Sequence, residues 1–331
     1  MILVTGGTGL VGSHLLYNLV SNGEKVRATH RKSSVLESVK TVFGFFTDNA
    51  EVLFNKIDWV EADVTNIPQL EAAFAGVTKV YHAAAFISFD AADGDKMRKI
   101  NIEGTANIVN LCIANKVEKL CFVSSIASLG PANEDGLITE ESHWIAEADH
   151  NEYAISKYGG EMEVWRGTRE GVPAVIVNPG VILGAGYLHQ GSGKLFGMAQ
   201  KGMSFYTTGQ TGFVDVEDVV SAMVMLMDGA IENENYILIA ENISFKDIMT
   251  QICVALGKKP PKKKVRKWML KVLWRINWVL SKLSGKSPAI TRASAVAAFE
   301  TSTYSNIKIK EDLNFKFTPV AETIKRVAGR L

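Results

Sequence analysis

Residues 5–12 read Thr-Gly-Gly-Thr-Gly-Leu-Val-Gly and follow directly on the apolar run Ile2–Thr5. A short buried strand that ends in closely spaced glycines and opens a helix has few uses. Gly6, Gly9 and Gly12 allow a tight turn, close approach of a ligand's pyrophosphate, and close packing of helix on strand. The helix N-terminus that follows presents free amides to negative charge. The glycine spacing alone leaves an ordinary strand-to-helix turn as the competing reading; the apolar strand before it and the helix after it argue against that. Thr8, Leu10 and Val11 are therefore candidate phosphate contacts with the three glycines.

The rest of the first half repeats the rhythm. Strands are expected at 25–29, 59–62, 79–82, 120–124 and 174–178. Helices are expected at 12–22, 67–74, 101–114 and 153–169. Short apolar strands alternating with helices indicate an α/β chain with a buried, doubly wound parallel sheet. After Gly180 the pattern becomes irregular and glycine-rich, with a helix at 193–201, a strand running into a helix from Phe213, a strand at 236–240 and a helix at 245–256. The expected division is a nucleotide-binding domain at 1–180, to which 211–240 returns. A smaller, mostly helical C-terminal lobe is built from 181–210 and 241–331.

Composition narrows the class. With 331 residues, 47% of them apolar, the chain can bury a large core and is not a disordered one. Three cysteines without a CxxC pair fit a reducing compartment. The formal net charge of +1 gives no reason to expect nucleic-acid binding. No metal ligands are assigned. No basic leader or cleavable apolar segment precedes the first strand, so the cytoplasm is the expected location. The near-neutral total is an average, however. Residues 1–247 hold 18 basic and 31 acidic side chains, whereas 248–331 hold 18 basic and 4 acidic.

The end of the second strand bears on cofactor choice. A ribose without a 2′-phosphate is usually held there by a carboxylate. Here the strand runs into His30-Arg31-Lys32-Ser33, with no carboxylate before Glu37. Arg31 and Lys32 can hold a 2′-phosphate, which favours NADP over NAD; a solvated charge pair is the alternative. Asp63-Val64 closes the third strand, where the carboxylate could meet an adenine amino group or cap the next helix. Ala83, Ala84 and Ala85 close the fourth, small enough for a flat cofactor to lie against the backbone.

Tyr153 and Lys157 stand four apart, on one face of a helix. The ammonium can lower the phenol pKa or hold ribose hydroxyls. The fifth strand ends in Ser124 and Ser125, with Ser128 close by, so a hydroxyl can orient a substrate oxygen beside the phenol. Alone, the Tyr–Lys spacing is also compatible with a solvated face.

Together these motifs resemble the extended short-chain dehydrogenase/reductase superfamily, which includes the NAD-dependent epimerase/dehydratase family. The glycine turn resembles its TGxxGxxG motif, Asp63-Val64 its adenine-side position, and Asn101-Ile-Glu-Gly-Thr105 its N-x-x-G-T stretch. Val123–Gly130 is similar to the motif whose Ser lies five residues before a glycine, which selects Ser125. Tyr153 and Lys157 match its YxxxK pair, and Asn178–Gly184, with Pro179, Gly180 and Val181, resembles the segment beside nicotinamide. The resemblance implies a Rossmann domain, with Ser125, Tyr153 and Lys157 as the catalytic set and Asn101 organising water and lysine. It also implies a homodimer through the helices of 101–114 and 153–169. The second-strand end is similar to the dihydroflavonol and cinnamoyl-CoA reductase-like branch, usually NADP-dependent, although Ser38 stands where some plant members place a paired lysine. The implied reaction is hydride exchange between nicotinamide and a carbonyl or secondary alcohol. A sugar-nucleotide epimerase and a nucleotide-bound scaffold are the alternatives. Ile126 and Ala127, following Ser125 where a dehydratase would carry Asp-Glu, argue against a dehydratase.

Late apolar residues (Tyr187, Leu188, Phe196, Met198, Met203, Phe205 and Tyr206), with Phe86, Ile87 and Phe89 from the middle loop, favour an apolar substrate. The segment 258–286 carries eleven Lys or Arg. Val265, Trp268, Val272, Ile276, Val279 and Leu283 form a stripe at helical spacing. Three uses are open: a roof over the substrate pocket, peripheral contact with an anionic membrane through 262–286, or a protein contact.

Overall fold

A computed structural model describes residues 1–188, 190–284, 288 and 290–331. Gly285 and Lys286, the end of the proposed membrane segment, lie outside the described residues, as does the side chain of Leu283. Strands β1 (Ile2–Thr5), β2 (Val26–His30), β3 (Asp58–Glu61), β4 (Lys79–His82), β5 (Lys119–Val123) and β6 (Ala174–Pro179) alternate with helices. β7 (Val181–Leu183), β8 (Phe205–Tyr206), β9 (Gln210–Asp215), β10 (Glu234–Leu238), β11 (Glu241–Ser244) and β12 (Lys263–Lys264) complete the strands. The helices used below are α1 (Leu10–Ser21), α2 (Gly104–Ala114), α3 (Glu152–Arg169), α4 (Val216–Asp228), α5 (Phe245–Ala255), α6 (Lys267–Ser284) and α7 (Val320–Gly329).

The large sheet is seven-stranded, in the order β10-β6-β5-β4-β1-β2-β3, and parallel throughout. The chain reverses its winding between β1 and β4, where Thr5 pairs with His82. In doubly wound sheets ligands bind at this crevice, outside the carboxyl ends of the strands. The expected α/β class is therefore observed.

Alternation along the strands supplies two cores. Ile2, Val4, Tyr81, Cys121 and Val175 face Leu15 and Leu19 of α1 and Met223 and Leu226 of α4. Leu3, Val80, Leu120, Phe122 and Ile176 face Ile108 and Val109 of α2 and Val164 of α3. The same period that splits neighbouring residues between faces explains why both faces are apolar. A third core, with Leu183, Phe213, Ile243, Ile248, Ile252 and Ile324, joins β7, β9, β11, α5 and α7 in the smaller lobe. Between 210 and 240, β10 joins the large sheet, whereas β9 pairs with β7 and β11 in a three-stranded sheet.

Two stretches read loosely from sequence have regular structure. Between β2 and β3 lie helices Glu37–Gly44 and Ala50–Phe54, which pack Val39, Phe43 and Phe54 beneath β2 and α1. The helix expected at 101–114 is entered through a π-turn, Lys99–Glu103, with Asn101 buried in it.

Candidate active site

The glycine turn lies at the switch point. Gly6 has φ +72°, and a Cβ there would sit 2.6 Å from the Ala83 carbonyl carbon and Ala84 nitrogen. A Cβ on Gly12 would sit 2.1 Å from the Gly6 oxygen. The turn after β1 and the alanines after β4 thus meet backbone to backbone, which no larger residue at position 6 permits. Ala83 donates its amide to the Thr5 carbonyl at 3.2 Å, while Ala85 is exposed. Helix α1 has Gly9 as its N-cap and no side-chain cap. The first-turn amides of Leu10, Val11 and Gly12 therefore remain available to an anion. Tyr187 supports the turn by donating its hydroxyl to the Thr8 carbonyl at 2.9 Å. This cradle fits a dinucleotide pyrophosphate.

At the end of β2, Arg31 and Lys32 are exposed, and neither enters an ion pair among the described residues. Ser34 ties their loop to the glycine turn, accepting from the Arg31 amide at 3.0 Å and from the Thr8 hydroxyl at 3.4 Å. The structure also separates the two expected uses of Asp63. Asn66, not Asp63, caps the following helix, accepting from the Gln69 amide. Asp63 accepts from the amide and hydroxyl of Thr65 at 2.9 and 2.7 Å. Burial alone would raise its pKa, but these bonds and the Arg31 charge hold it below the ordinary carboxylate value. Val64 is buried, with its carbonyl accepting from Asn107 at 3.0 Å.

The three serines after β5 take different roles. Ser124 and Ser128 donate to a buried carboxylate, Glu161 of α3, at 2.7 and 2.8 Å. Asn178, at the end of β6, donates to the same oxygen at 2.9 Å. Ser125 accepts from the Ala127 amide at 3.2 Å, leaving its proton free to donate. Its carbonyl accepts from the Ser128 amide at 3.1 Å and from the Asn178 side chain at 3.2 Å. The Glu161 network therefore fixes the turn that presents Ser125. Neither Glu161 nor its partnership with Asn178 was assigned from sequence. The available signal was position: Tyr153, Lys157 and Glu161 recur every four residues on one helix face.

Tyr153 stands at the start of α3, with Phe89 6.2 Å away ring to ring. Burial raises its pKa, and hydrogen bonding with Ser125 pulls it partly back. The net direction is therefore upward, opposite to the lowering expected from Lys157. Lys157 is buried, directs Nζ to the Val123 carbonyl at 2.8 Å and lies over the Phe122 ring at 4.5 Å. Burial lowers its own pKa to about 8, against the raising influence of Glu161. One of its three ammonium donors is committed to Val123, so the others are available to hydroxyls.

Asn101, the residue implied to organise water and lysine, is fixed by three hydrogen bonds. Its amide clasps the Phe86 backbone from both sides, accepting from the nitrogen at 2.7 Å and donating to the oxygen at 2.9 Å. It also donates to Ser156 at 2.9 Å. These bonds join the segment after β4 to α3 and involve Ser156, next to Lys157, rather than Lys157 itself. Beneath them His82 bridges Thr5 and Thr105 at 2.6 and 3.0 Å, and burial lowers its pKa to about 3, so it stays neutral. Pro179, Gly180 and Val181 link β6 to β7, with the Gly180 amide on the Leu238 carbonyl.

The chain is also matched from the outside. The model of the "NAD dependent epimerase/dehydratase family" matches residues 2–239. This chain belongs to that family. It is 27% identical to "Putative dihydroflavonol 4-reductase" of Synechocystis over 97% of this chain and 91% of that protein. It is 27% identical to "Sterol demethylase protein B" of Methylococcus capsulatus over 78% of this chain and 76% of that one. The crystal structure of Thermus thermophilus UDP-glucose 4-epimerase with NAD shares the fold, with TM-score 0.75, 20% identity and coverage of 99% and 98%. This family member is thus an oxidoreductase-type enzyme with a nicotinamide dinucleotide as cofactor.

The apolar residues expected at a substrate pocket divide. Phe196 is fully buried in the core of the smaller lobe, and Leu188 and Met203 pack against that core. Ile87 and Phe89 remain exposed, Phe89 beside the Tyr153 ring. The loop 131–151, which leads into α3, is pinned by Trp144 stacked between His150 and Tyr158, at 3.6 and 4.4 Å.

Proposed function

We propose that this enzyme is an NADP-dependent reductase or dehydrogenase acting on a carbonyl or secondary alcohol of a largely apolar substrate. The observation carrying this reading is the pairing of Ser125 and Tyr153 at the end of β5 and the start of α3, with Lys157 one turn deeper. When bound, the nicotinamide supplies or accepts hydride at carbon. Tyr153, kept as a phenol by burial, gives its proton to the substrate oxygen as negative charge develops there. Ser125 donates to the same oxygen and steadies it. Lys157 holds ribose hydroxyls with its remaining donors, and Leu10, Val11 and Gly12 hold the pyrophosphate. Arg31 and Lys32 are the residues for a 2′-phosphate, because no carboxylate stands at the end of β2 and both cations lack an ion-pair partner among the described residues. The exposed apolar side chains of Ile87 and Phe89 favour an apolar substrate. The names of two relatives, a dihydroflavonol reductase and a sterol demethylase component, point to polycyclic carbonyls or alcohols.

Tyr153→Phe should lower turnover by about 10²- to 10⁴-fold while leaving dinucleotide affinity within a few-fold, because only the proton donor is lost. A variant that turns over as fast as the parent would end this mechanism. For the cofactor, NADPH should bind more tightly than NADH, and Arg31→Ala should erase the difference. Tighter binding of NADH would reverse the assignment.

A further inference from the structure

Helix α6 has one face that rests on the protein and one that does not. Leu270, Trp274, Asn277 and Ser281 recur at i, i+4, i+7 and i+11 and are half-buried, so this face rests on the protein. The short helix Arg292–Ala297 packs against it. The other apolar stripe faces solvent. Trp268 is 61% exposed, Ile276 51% and Leu280 56%, with Val272 and Val279 similarly open.

One long border of the stripe is cationic. Lys267, Lys271, Arg275 and Lys282 follow each other along the helix, all exposed. Lys262, Lys263, Lys264 and Arg266 crowd its N-terminal end, where β12 is paired to β8 beside the exposed ring of Phe205. From Ile248 to Phe299 there is no acidic residue. Among the described residues of that stretch, Arg292 alone makes an ion pair, with Asp149 at 3.2 Å. An apolar stripe with a cationic border and tryptophan among its exposed residues matches a bilayer surface that carries negative headgroups. A second copy of this chain matches less well, since a two-fold contact through α6 would set one cationic border against another. Among the described residues no helix is long and apolar enough to cross a membrane, so the contact is with the surface.

We propose that α6 and the preceding basic turn dock this enzyme on anionic lipid bilayers, with Trp268, Val272, Ile276 and Val279 in the acyl–headgroup boundary and Lys267, Lys271 and Arg275 among the headgroups. The short helix that packs on α6 reaches toward the site's surroundings, because its Arg292 pairs with Asp149, four residues before Tyr153. Docking therefore brings the loop that leads into α3 close to the lipid.

The test is co-sedimentation of the full chain with vesicles of phosphatidylcholine, alone or with about 30 mol % phosphatidylglycerol. Binding is expected only to the anionic vesicles and should weaken strongly as salt rises from about 0.05 to 0.5 M. Replacing Lys267, Lys271 and Arg275 together by Gln should weaken partitioning by about 100-fold, at about fivefold for each cation near the surface. Val272→Asp with Ile276→Asp should abolish it with the cations intact. Thermal melting and dinucleotide affinity, measured alongside, should stay at parent values in both. Equal binding to phosphatidylcholine alone, no binding to anionic vesicles, or a double-Asp variant that still partitions would overturn the proposal. So would conversion of a lipid-free dimer to monomer by the double-Asp variant, which would assign the stripe to a second copy.

Discussion

Lys157 shows how burial sets the chemistry of a single side chain. Its pKa of about 8 means that the ammonium loses its charge just above neutrality. Hydrogen bonds from the ammonium to ribose hydroxyls weaken with that charge. Dinucleotide affinity should therefore be highest below pH 8 and fall as pH rises through it. Lys157→Arg should flatten the profile because guanidinium stays protonated. Fluorescence titration from pH 6.5 to 9.5 reads both, and a wild-type profile that is flat across this range would contradict the assignment. The linkage to stability runs the other way. The unfolded chain keeps the proton up to the ordinary lysine value, so between about 8 and that value folding releases it and this group's contribution rises with pH. Much of this residue-level picture was legible in sequence, since the Tyr–Lys spacing and the strand-end serines are local patterns. Which serine faces the phenol followed only from resemblance. Glu161 was not legible at all, because its three donors come from positions 124, 128 and 178, which only the folded sheet brings together.

At the scale of elements, the first βα unit carries the tightest constraint. Gly12 lies against the Gly6 oxygen, and Gly6 against the backbone after β4. Gly12→Ala should force the turn outward and misplace the amides that face the pyrophosphate. Dinucleotide binding should weaken by at least about 10-fold, with a stability loss of about 1–3 kcal/mol. Calorimetric titration and urea unfolding check the two separately, and retention of parent affinity would show that the turn can relax. The elements that sequence placed well are those with strong periodicity and a clear end signal, such as β4 and α3. The π-turn at Asn101 left no such mark. It arises where the chain must seat Asn101 against Phe86 and still lead Thr105 to His82. The outward stripe of α6 was visible as an amphipathic pattern, but periodicity alone does not say which of two apolar faces meets protein.

At the scale of the whole molecule, α4 and α7 join the lobes. Asp215 is fully buried, caps α4 through the Glu217 amide, and accepts from Thr323 at 2.6 Å. Arg326 completes the cluster as its ion-pair partner. Arg326→Ala would leave a carboxylate buried without its counter-charge. The loss should be about 3 kcal/mol, read by urea unfolding, and much less for Arg326→Lys. An unchanged midpoint for the alanine variant would mean that Thr323 and the Glu217 amide suffice. The charge asymmetry was readable from sequence, but not this cluster, because Asp215 and Arg326 are 111 residues apart.

The other end of α4 is held as well. Lys119 of β5 donates to the Leu226 and Gly229 carbonyls at 2.6 and 2.8 Å, matching the negative end of the helix dipole. The helix is thus fastened at its far end by the cofactor domain and at its near end by the final helix. Ile309 and Phe315 fill the same core as β1 and α1, and Asp312 accepts from Tyr236 of β10 at 2.7 Å. During synthesis, strands made first must wait for residues some 300 positions later before their burial is complete. A nascent chain that stops before residue 309 already holds its dinucleotide cradle, but the core that supports the cradle is still open.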